Sequence, residues 1–323
     1  MDVYPLRFGP IYREKIWGGQ ALERLFGRGL PAGKAVGESW ELADLAGGVS
    51  VVSNGPAAGT PLTELTRSMG ADLLGGAAPM PDGRFPLLLK LLDANDILSL
   101  QVHPDAEAVR RIRADGADAA LKTECWYVLE SRDGMIYKGV RPGVTPEQFR
   151  RAIESDAAER VVRPVQVAAG EFHYLPAGTV HALGAGVVVA EVQTPSDTTY
   201  RVTDWGRGRD IHVERSMQCI HFAATDDDAP GAEGDTLLGT DFFTVARRSA
   251  GPPMPRHLPD GRCVAVMMLQ AAGHAAVHHT GKVELVTKLR AGDTVLVPAG
   301  CNSPRIVAAA PCTWLEITLP EGT

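Results

Sequence analysis

Short runs of valine, leucine and isoleucine, closed off by glycine, proline or polar turn residues, recur along most of this chain. The clearest are "RFPLLLKLLD" (84–93), "DILSLQVH" (96–103), "ECWYVLE" (124–130), "VVVAEVQT" (187–194), "CVAVMMLQ" (263–270) and "DTVLVPAG" (293–300). Runs this short with this punctuation are strands, and many of them in series restrict the fold to a mainly β sandwich or barrel. The 35 glycines and 23 prolines supply the turns. Two stretches break the pattern. "PDAEAVRRIRADG" (104–116) and "TPEQFRRAIESDAAERVV" (145–162) carry apolar residues at helical spacing, and Thr145 with Gln148 forms a capping-box signature. Both are expected to be helical insertions beside the sheets.

A chain of 323 residues suits one large domain or two ordinary ones. "AATDDDAPGAEGD" (223–235) is polar and aperiodic, and reads as a linker between residues 1–225 and residues 236–323. An internal repeat supports that division. "GEFHYLPAG" (170–178) and "GDTVLVPAG" (292–300) share the template Gly-x5-Pro-x-Gly, a turn, a short strand and a tight turn. The first copy continues to His181, and the whole of it resembles the second sequence motif of the cupin superfamily, in which that histidine is a metal ligand. The second copy has Ser303 at the corresponding place. The expected fold is therefore two cupin-like β-barrels of the jelly-roll type, the first metal-binding and the second metal-free.

The formal net charge is −7, and no run of lysine or arginine offers a nucleic-acid or membrane-surface footprint. No apolar run approaches the roughly 20 residues of a membrane span. The start, "MDVYPLRFGPIYREKIWGG", has no apolar core of a secretory signal. The five cysteines form no C-x-x-C pair and are expected to be reduced thiols of a cytoplasmic protein. The expected partner is a small molecule.

Strand parity then selects candidates. In "ILSLQVH", Ile97, Ser99, Gln101 and His103 share one face, and Leu98, Leu100 and Val102 share the other. In "KTECW", Lys122, Glu124 and Trp126 share a face. Val187, Val189, Glu191 and Gln193 do so in "VVVAEVQ", and Lys90 interrupts an apolar strand. A barrel interior would thus collect Gln101, His103, Glu124 and His181, with Lys90, Lys122 and Ser99 nearby. Buried charges persist when paired, bound to metal or awaiting a charged ligand. Two histidines, a carboxylate and an amide oxygen suit zinc, iron or manganese. One histidine alone would more often be structural; four candidates of matching parity reverse that balance.

Longer blocks carry a family resemblance. "FPLLLKLLDANDILSLQVHPD", "KTECWYVL", "YLPAGTVHAL", "KIWGG" (15–19), "GESWELAD" (37–44) and "YRVTDWGR" (200–207) resemble type I mannose-6-phosphate isomerases, in family order, up to about residue 220. The short length resembles the compact bacterial branch. The resemblance implies one zinc ion per chain on Gln101, His103, Glu124 and His181, and an active-site arginine at Arg201. It implies interconversion of mannose 6-phosphate and fructose 6-phosphate through a cis-enediol. On this reading Lys90, Ser99 and Lys122 hold phosphate or sugar hydroxyls, and Arg201 stabilises the transition state. Either Glu191 or Asp197 moves the proton.

Rival readings are a non-catalytic sugar-phosphate-binding cupin, a sensor or regulator, and an iron-dependent cupin oxygenase. Arg201 could also serve only as an ion-pair partner of Asp197 or Asp204, and Trp17 and Trp40 as core or pocket wall. "LPAGKA" is rejected as a phosphate-binding loop, because Arg28 stands where the first glycine is required and Ala35 replaces the hydroxyl residue. The histidines of "HAAVHH" (274–279) lie in a strand-like context without partner ligands and are set aside.

Overall fold

The computed structural model describes residues 3–223, 229–280 and 286–321; residues 224–228 of the expected linker lie outside the described residues. The architecture is mainly β, in two units of facing antiparallel sheets that stay open at their edges rather than closing into barrels. In the first unit a six-stranded sheet has the order Phe172–Leu175, Glu124–Ser131, Val187–Gln193, Leu88–Ala94, Val36–Leu42, Ile11–Gly19. Across from it, a five-stranded sheet has the order Val162–Gln166, Met135–Val140, His181–Leu183, Leu100–Val102, Tyr200–Thr203. Trp126, Val128, Val187 and Val189 of the larger sheet pack on Ile136 and Leu183 of the smaller.

The second unit repeats this plan. Six strands run in the order Leu6–Arg7, Thr294–Val297, Val264–Ala271, Cys312–Thr318, Thr244–Ala250, Thr236–Gly239, and four in the order Arg256–His257, Asn302–Ala308, Ala275–Thr280, Thr287–Leu289. Gly170 and Gly292, which open the two repeat copies, both take left-handed backbone, with φ of 94° and 84°. The turn thus requires glycine in each copy.

Every residue of Val187–Gln193 is buried. Val187 and Val189 face the interior of the first unit, whereas Val188, Ala190 and Val192 join a core with Ala265, Met267, Leu315 and Ile317 of the second. The two six-stranded sheets therefore stack back to back. Covering both faces removes the polar alternation, and so "VVVAEVQ" and "LLKLLDA" read as near-continuous apolar runs.

The outer face of the five-stranded sheet is covered by the helices Ala106–Ala114, Pro146–Glu154 and Val213–Cys219, where Leu100, Val102 and Val202 meet Ala108, Ile112 and Phe149. Asp105 caps the first of these helices, and the Thr145–Gln148 capping box is complete in the second. The second helix ends at Glu154, well short of residue 162. Asp156 takes a left-handed φ of 52°, and Val162 already begins a strand.

Several contacts cross the division read from the sequence. Leu6–Arg7 pairs with Thr294–Val297, so the N-terminal strand is an edge of the C-terminal unit's sheet. Backbone N–H groups of Ala299 and Gly300 donate to the carbonyls of Leu73 (3.0 Å) and Asp72 (2.8 Å). Arg28 lies 2.9 Å from buried Glu41 and also donates to the Gly292 carbonyl.

Candidate metal centre

The strand Leu100–Val102 lies between His181–Leu183 and Tyr200–Thr203, which puts Gln101 directly opposite both His181 and Arg201. On the facing sheet, Glu191 sits opposite Lys90 and Trp126, and Gln193 sits opposite Glu124. Side chains from four sequence-distant strands thereby converge on one interior. Leu98 departs from the expected parity. The strand begins only at Leu100, and Leu98 packs with Trp17 and Leu92 rather than with Leu100 and Val102.

At the centre, His103, Glu124 and His181 are buried, and their ligating atoms all lie within 4.8 Å of one another. It is the one such group found among the described residues. His103 Nδ1 is 2.9 Å from the Thr198 carbonyl, and His181 Nδ1 is 2.9 Å from the Thr179 carbonyl. Each Nδ1 must be the donor in such a contact, which leaves each Nε2 with a bare lone pair. Both Nε2 atoms point at Glu124, at 3.7 Å from Oε2 for His103 and 3.0 Å from Oε1 for His181. Neither Glu124 oxygen accepts a hydrogen bond, although the residue is fully buried. Between the rings and the carboxylate, lone pairs thus face lone pairs, an arrangement a divalent cation would stabilise. The Gln101 amide is 3.3 Å from His181 Nε2, and turning it end for end presents its oxygen to the same place. These residues fit a metal.

Lys122 Nζ flanks the cluster, 3.0 Å from Glu124 Oε2 and 3.1 Å from His103 Nε2. Burial opposes ionisation of Glu124, but the Lys122 ammonium outweighs it and holds the carboxyl well below the usual carboxylate range. Burial, and then the Lys122 charge, push His103 well below its ordinary value, which keeps its ring neutral.

A cavity of about 190 Å³ opens beside Gln101. Lys90, Ser99, Lys122, Glu191, Asp197 and Arg201 all line it, as do Trp17 and Trp40. Glu191 is buried and fully engaged. Its Oε1 is 3.0 Å from Lys90 Nζ, and its Oε2 accepts from Trp126 Nε1 at 2.8 Å. Asp197 is exposed, and its carboxylate makes no hydrogen bond or ion pair among the described residues. Asp204 pairs with Arg207 and Arg209 instead of with Arg201. Arg201 makes no ion pair among the described residues, and its buried Nε has no hydrogen-bond partner.

Lys15, Glu38 and Arg209 also line the cavity, and strand parity did not single them out. Lys15 is 2.8 Å from Glu38, and the Trp40 indole donates to Glu38 at 2.7 Å. Burial raises the Glu38 pKa, but the charges of Lys90 and Lys15 prevail and pull it down to about 2. Lys15 and Trp17 in "KIWGG", and Glu38 and Trp40 in "GESWELAD", alternate with period two, so a signal was present. Arg209 lies in a loop, where no period marks it.

A family model described as "Phosphomannose isomerase type I, catalytic domain" matches residues 6–127. The chain is 32% identical over 328 residues to the mannose-6-phosphate isomerase ManA of Bacillus subtilis, covering 97% of this chain and 98% of that one. It is 37% identical over 256 residues to the probable mannose-6-phosphate isomerase GmuF of the same organism, covering 75% of this chain and 78% of that one. Among solved structures, the mannose 6-phosphate isomerase of Bacillus subtilis superposes with a TM-score of 0.83 at 28% identity, over 97% of this chain and 99% of that one. A mannose 6-phosphate isomerase crystallised with zinc and yttrium shares the fold, with a TM-score of 0.77 at 17% identity, over 98% of this chain and 99% of that one.

Proposed function

Because the chain belongs to the type I phosphomannose isomerase family, we propose that it interconverts mannose 6-phosphate and fructose 6-phosphate in the cavity beside His103, Glu124 and His181. The observation that carries this reading is the buried Glu124 carboxylate. It faces two imidazole lone pairs, and a cavity lined by cationic side chains lies beside it. Gln101, His103, Glu124 and His181 would hold one zinc ion, since two neutral imidazoles, a carboxylate and an amide oxygen suit that metal. Held there, the ion would supply Lewis-acid polarisation of the sugar oxygens.

The reaction moves one proton between C1 and C2 through a cis-enediol. Asp197 lines the cavity with a carboxylate free of ion pairs among the described residues, and it takes the proton-transfer role. Glu191, fixed by Lys90 and Trp126, positions the Lys90 ammonium over the sugar. Burial works against that ammonium, but Glu191, Glu38 and Glu124 outweigh it and keep Lys90 charged. Lys122 and Ser99 meet sugar hydroxyls. Arg201, the cross-strand neighbour of Gln101, supplies positive charge already in place when the enediolate forms.

A cytoplasmic location belongs to the same reading, supported by five cysteines that are all free and buried. Metal analysis with an isomerase assay on mannose 6-phosphate, in air and without oxygen, tests the proposal. Zinc-dependent turnover in both conditions is expected. A metal-loaded but inactive protein would favour the sensor reading, and oxygen consumption with iron would favour the oxygenase.

A further inference from the structure

Charge inside the cavity is almost fully paired. Lys15 lies 2.8 Å from Glu38, Lys90 3.0 Å from Glu191 and Lys122 3.0 Å from Glu124. A phosphate dianion entering the cavity therefore meets lysines whose charges already have carboxylate partners. At its edge the guanidiniums of Arg201, Arg207 and Arg209 outnumber the buried carboxylate beside them. Asp204, buried at 3% exposure, accepts from Arg209 Nε at 3.0 Å, from the Arg209 backbone N–H at 3.3 Å and from Arg207 Nη2 at 3.1 Å. One carboxylate thus serves two guanidiniums and leaves none for Arg201. Arg201 Nη1 donates only to the Asp210 carbonyl, at 2.6 Å. Burial, and then the adjacent Arg209 charge, hold the Arg201 guanidinium below its ordinary pKa.

Resting on the isomerase reading, we propose that Arg209 is the anchor for the substrate's phosphate. Its Nε and Nη2 are committed to Asp204, while its Nη1 makes no hydrogen bond among the described residues, and the residue lines the cavity. The loop carrying it is braced. Trp205 Nε1 donates to the Leu98 carbonyl and Arg207 Nη1 to the Ile97 carbonyl, both at 2.6 Å, just ahead of Ser99 and Gln101. The charge is therefore preorganised, and ordering it at binding costs little. The division of labour follows from position. Arg201 sits opposite Gln101, next to the residues proposed to hold the ion. Arg209 lines the same cavity from the loop that follows, with its side chain 33% exposed, and is assigned the end of the substrate that carries the phosphate. A guanidinium matches phosphate oxygens better than an ammonium does.

Steady-state kinetics of Arg209→Ala test this. The KM for mannose 6-phosphate should rise roughly 10- to 100-fold, the scale of a lost charge-assisted hydrogen bond. The kcat should stay within about threefold, because the contact is the same in ground and transition states. The inhibition constant of inorganic phosphate should rise with KM, and metal content should not change. Arg209→Gln, which keeps a hydrogen bond to Asp204 without the charge, should behave like the alanine variant. Wild-type KM in Arg209→Gln would make the residue a loop brace only and overturn the proposal, as would an unchanged phosphate inhibition constant in Arg209→Ala. The two readings fail separately. If the natural sequence does not turn over mannose 6-phosphate but binds inorganic phosphate calorimetrically in an Arg209-dependent way, the isomerase reading falls and the anion site stands. If turnover is present and phosphate affinity ignores Arg209, only the anion site falls.

Discussion

Past the turn that opens at Gly170, the first unit buries His181 at 1% exposure; past the turn that opens at Gly292, the second leaves Ser303 at the surface. Ser303 takes a left-handed φ of 48°, and its N–H donates to Asp260 Oδ1 at 3.0 Å, so this position looks outward. The interiors diverge accordingly. The second is filled by Val264, Val266, Met268, Val277, Ile306 and a fully buried Trp314. In the first, the corresponding space between sheets holds His103, Glu124 and His181, with the ring of Trp126 set edge-on to His181 at 5.4 Å. One two-sheet shell therefore accommodates either an apolar filling or a polar cavity. The polar choice costs stability unless each charge has a partner or a ligand. The second unit offsets that cost by covering the outer face of the sheet that carries Glu124 and Glu191.

The strongest way to break this contrast is His181→Ala. Metal content should fall to near zero and kcat/KM by more than about 10³-fold, since polarisation of the reacting oxygens by the proposed ion would be lost with it. The far-ultraviolet dichroism should remain native, because the shell is built from the other strand faces. Global unfolding would make the polar interior a structural element instead. Next in size, Arg201→Ala should lower kcat by roughly 10²–10³ with metal content intact, the scale of one preorganised charge donor. A rise in KM alone would move Arg201 to phosphate binding beside Arg209, and ordinary kinetics would withdraw its role.

A smaller effect concerns pH. Glu38 is held at about 2 against an ordinary 4.5. A depressed carboxylate contributes stability that is fully present above its unfolded value and is lost as pH falls through its folded value. The stability gap between the parent protein and Glu38→Gln, measured by urea unfolding, should therefore be constant above about pH 4.5 and close towards pH 2. A gap that does not change with pH would show that the Lys15–Glu38–Lys90 chain is not coupled to folding. The smallest expectation is a null one. Ser303→His should leave metal stoichiometry unchanged, because the side chain faces solvent and the second unit holds no group of three potential ligands among the described residues. A second bound ion would mean that the two units differ less than their cores indicate.

Much of this contrast was legible in the sequence. The apolar runs gave the β class, and the parity that separates Gln101 from Leu100 and Val102 is also the parity of the structure. The Thr145 cap marked a helix start, whereas its end was overrun, because nothing periodic announces the left-handed Asp156. Leu98 was assigned by a strand period that does not yet hold at that residue. Arg209 was out of reach for another reason. Its position depends on Asp204 and on carbonyls at residues 97 and 98, and such contacts between distant segments leave no spacing to read.

The strand Leu6–Arg7 has a consequence for the order of folding. Its residues are synthesised well before those of its partner Thr294–Val297. Until residue 297 emerges, these residues must wait unpaired or find a temporary neighbour. The second unit cannot complete its six-stranded sheet by drawing only on residues 236–323. Completing that sheet thus includes one long-range pairing, the kind of contact that slows folding. A cut within 223–235 would not release two self-sufficient pieces: the C-terminal piece would carry Thr294–Val297 as a bare edge, open to a strand from another molecule.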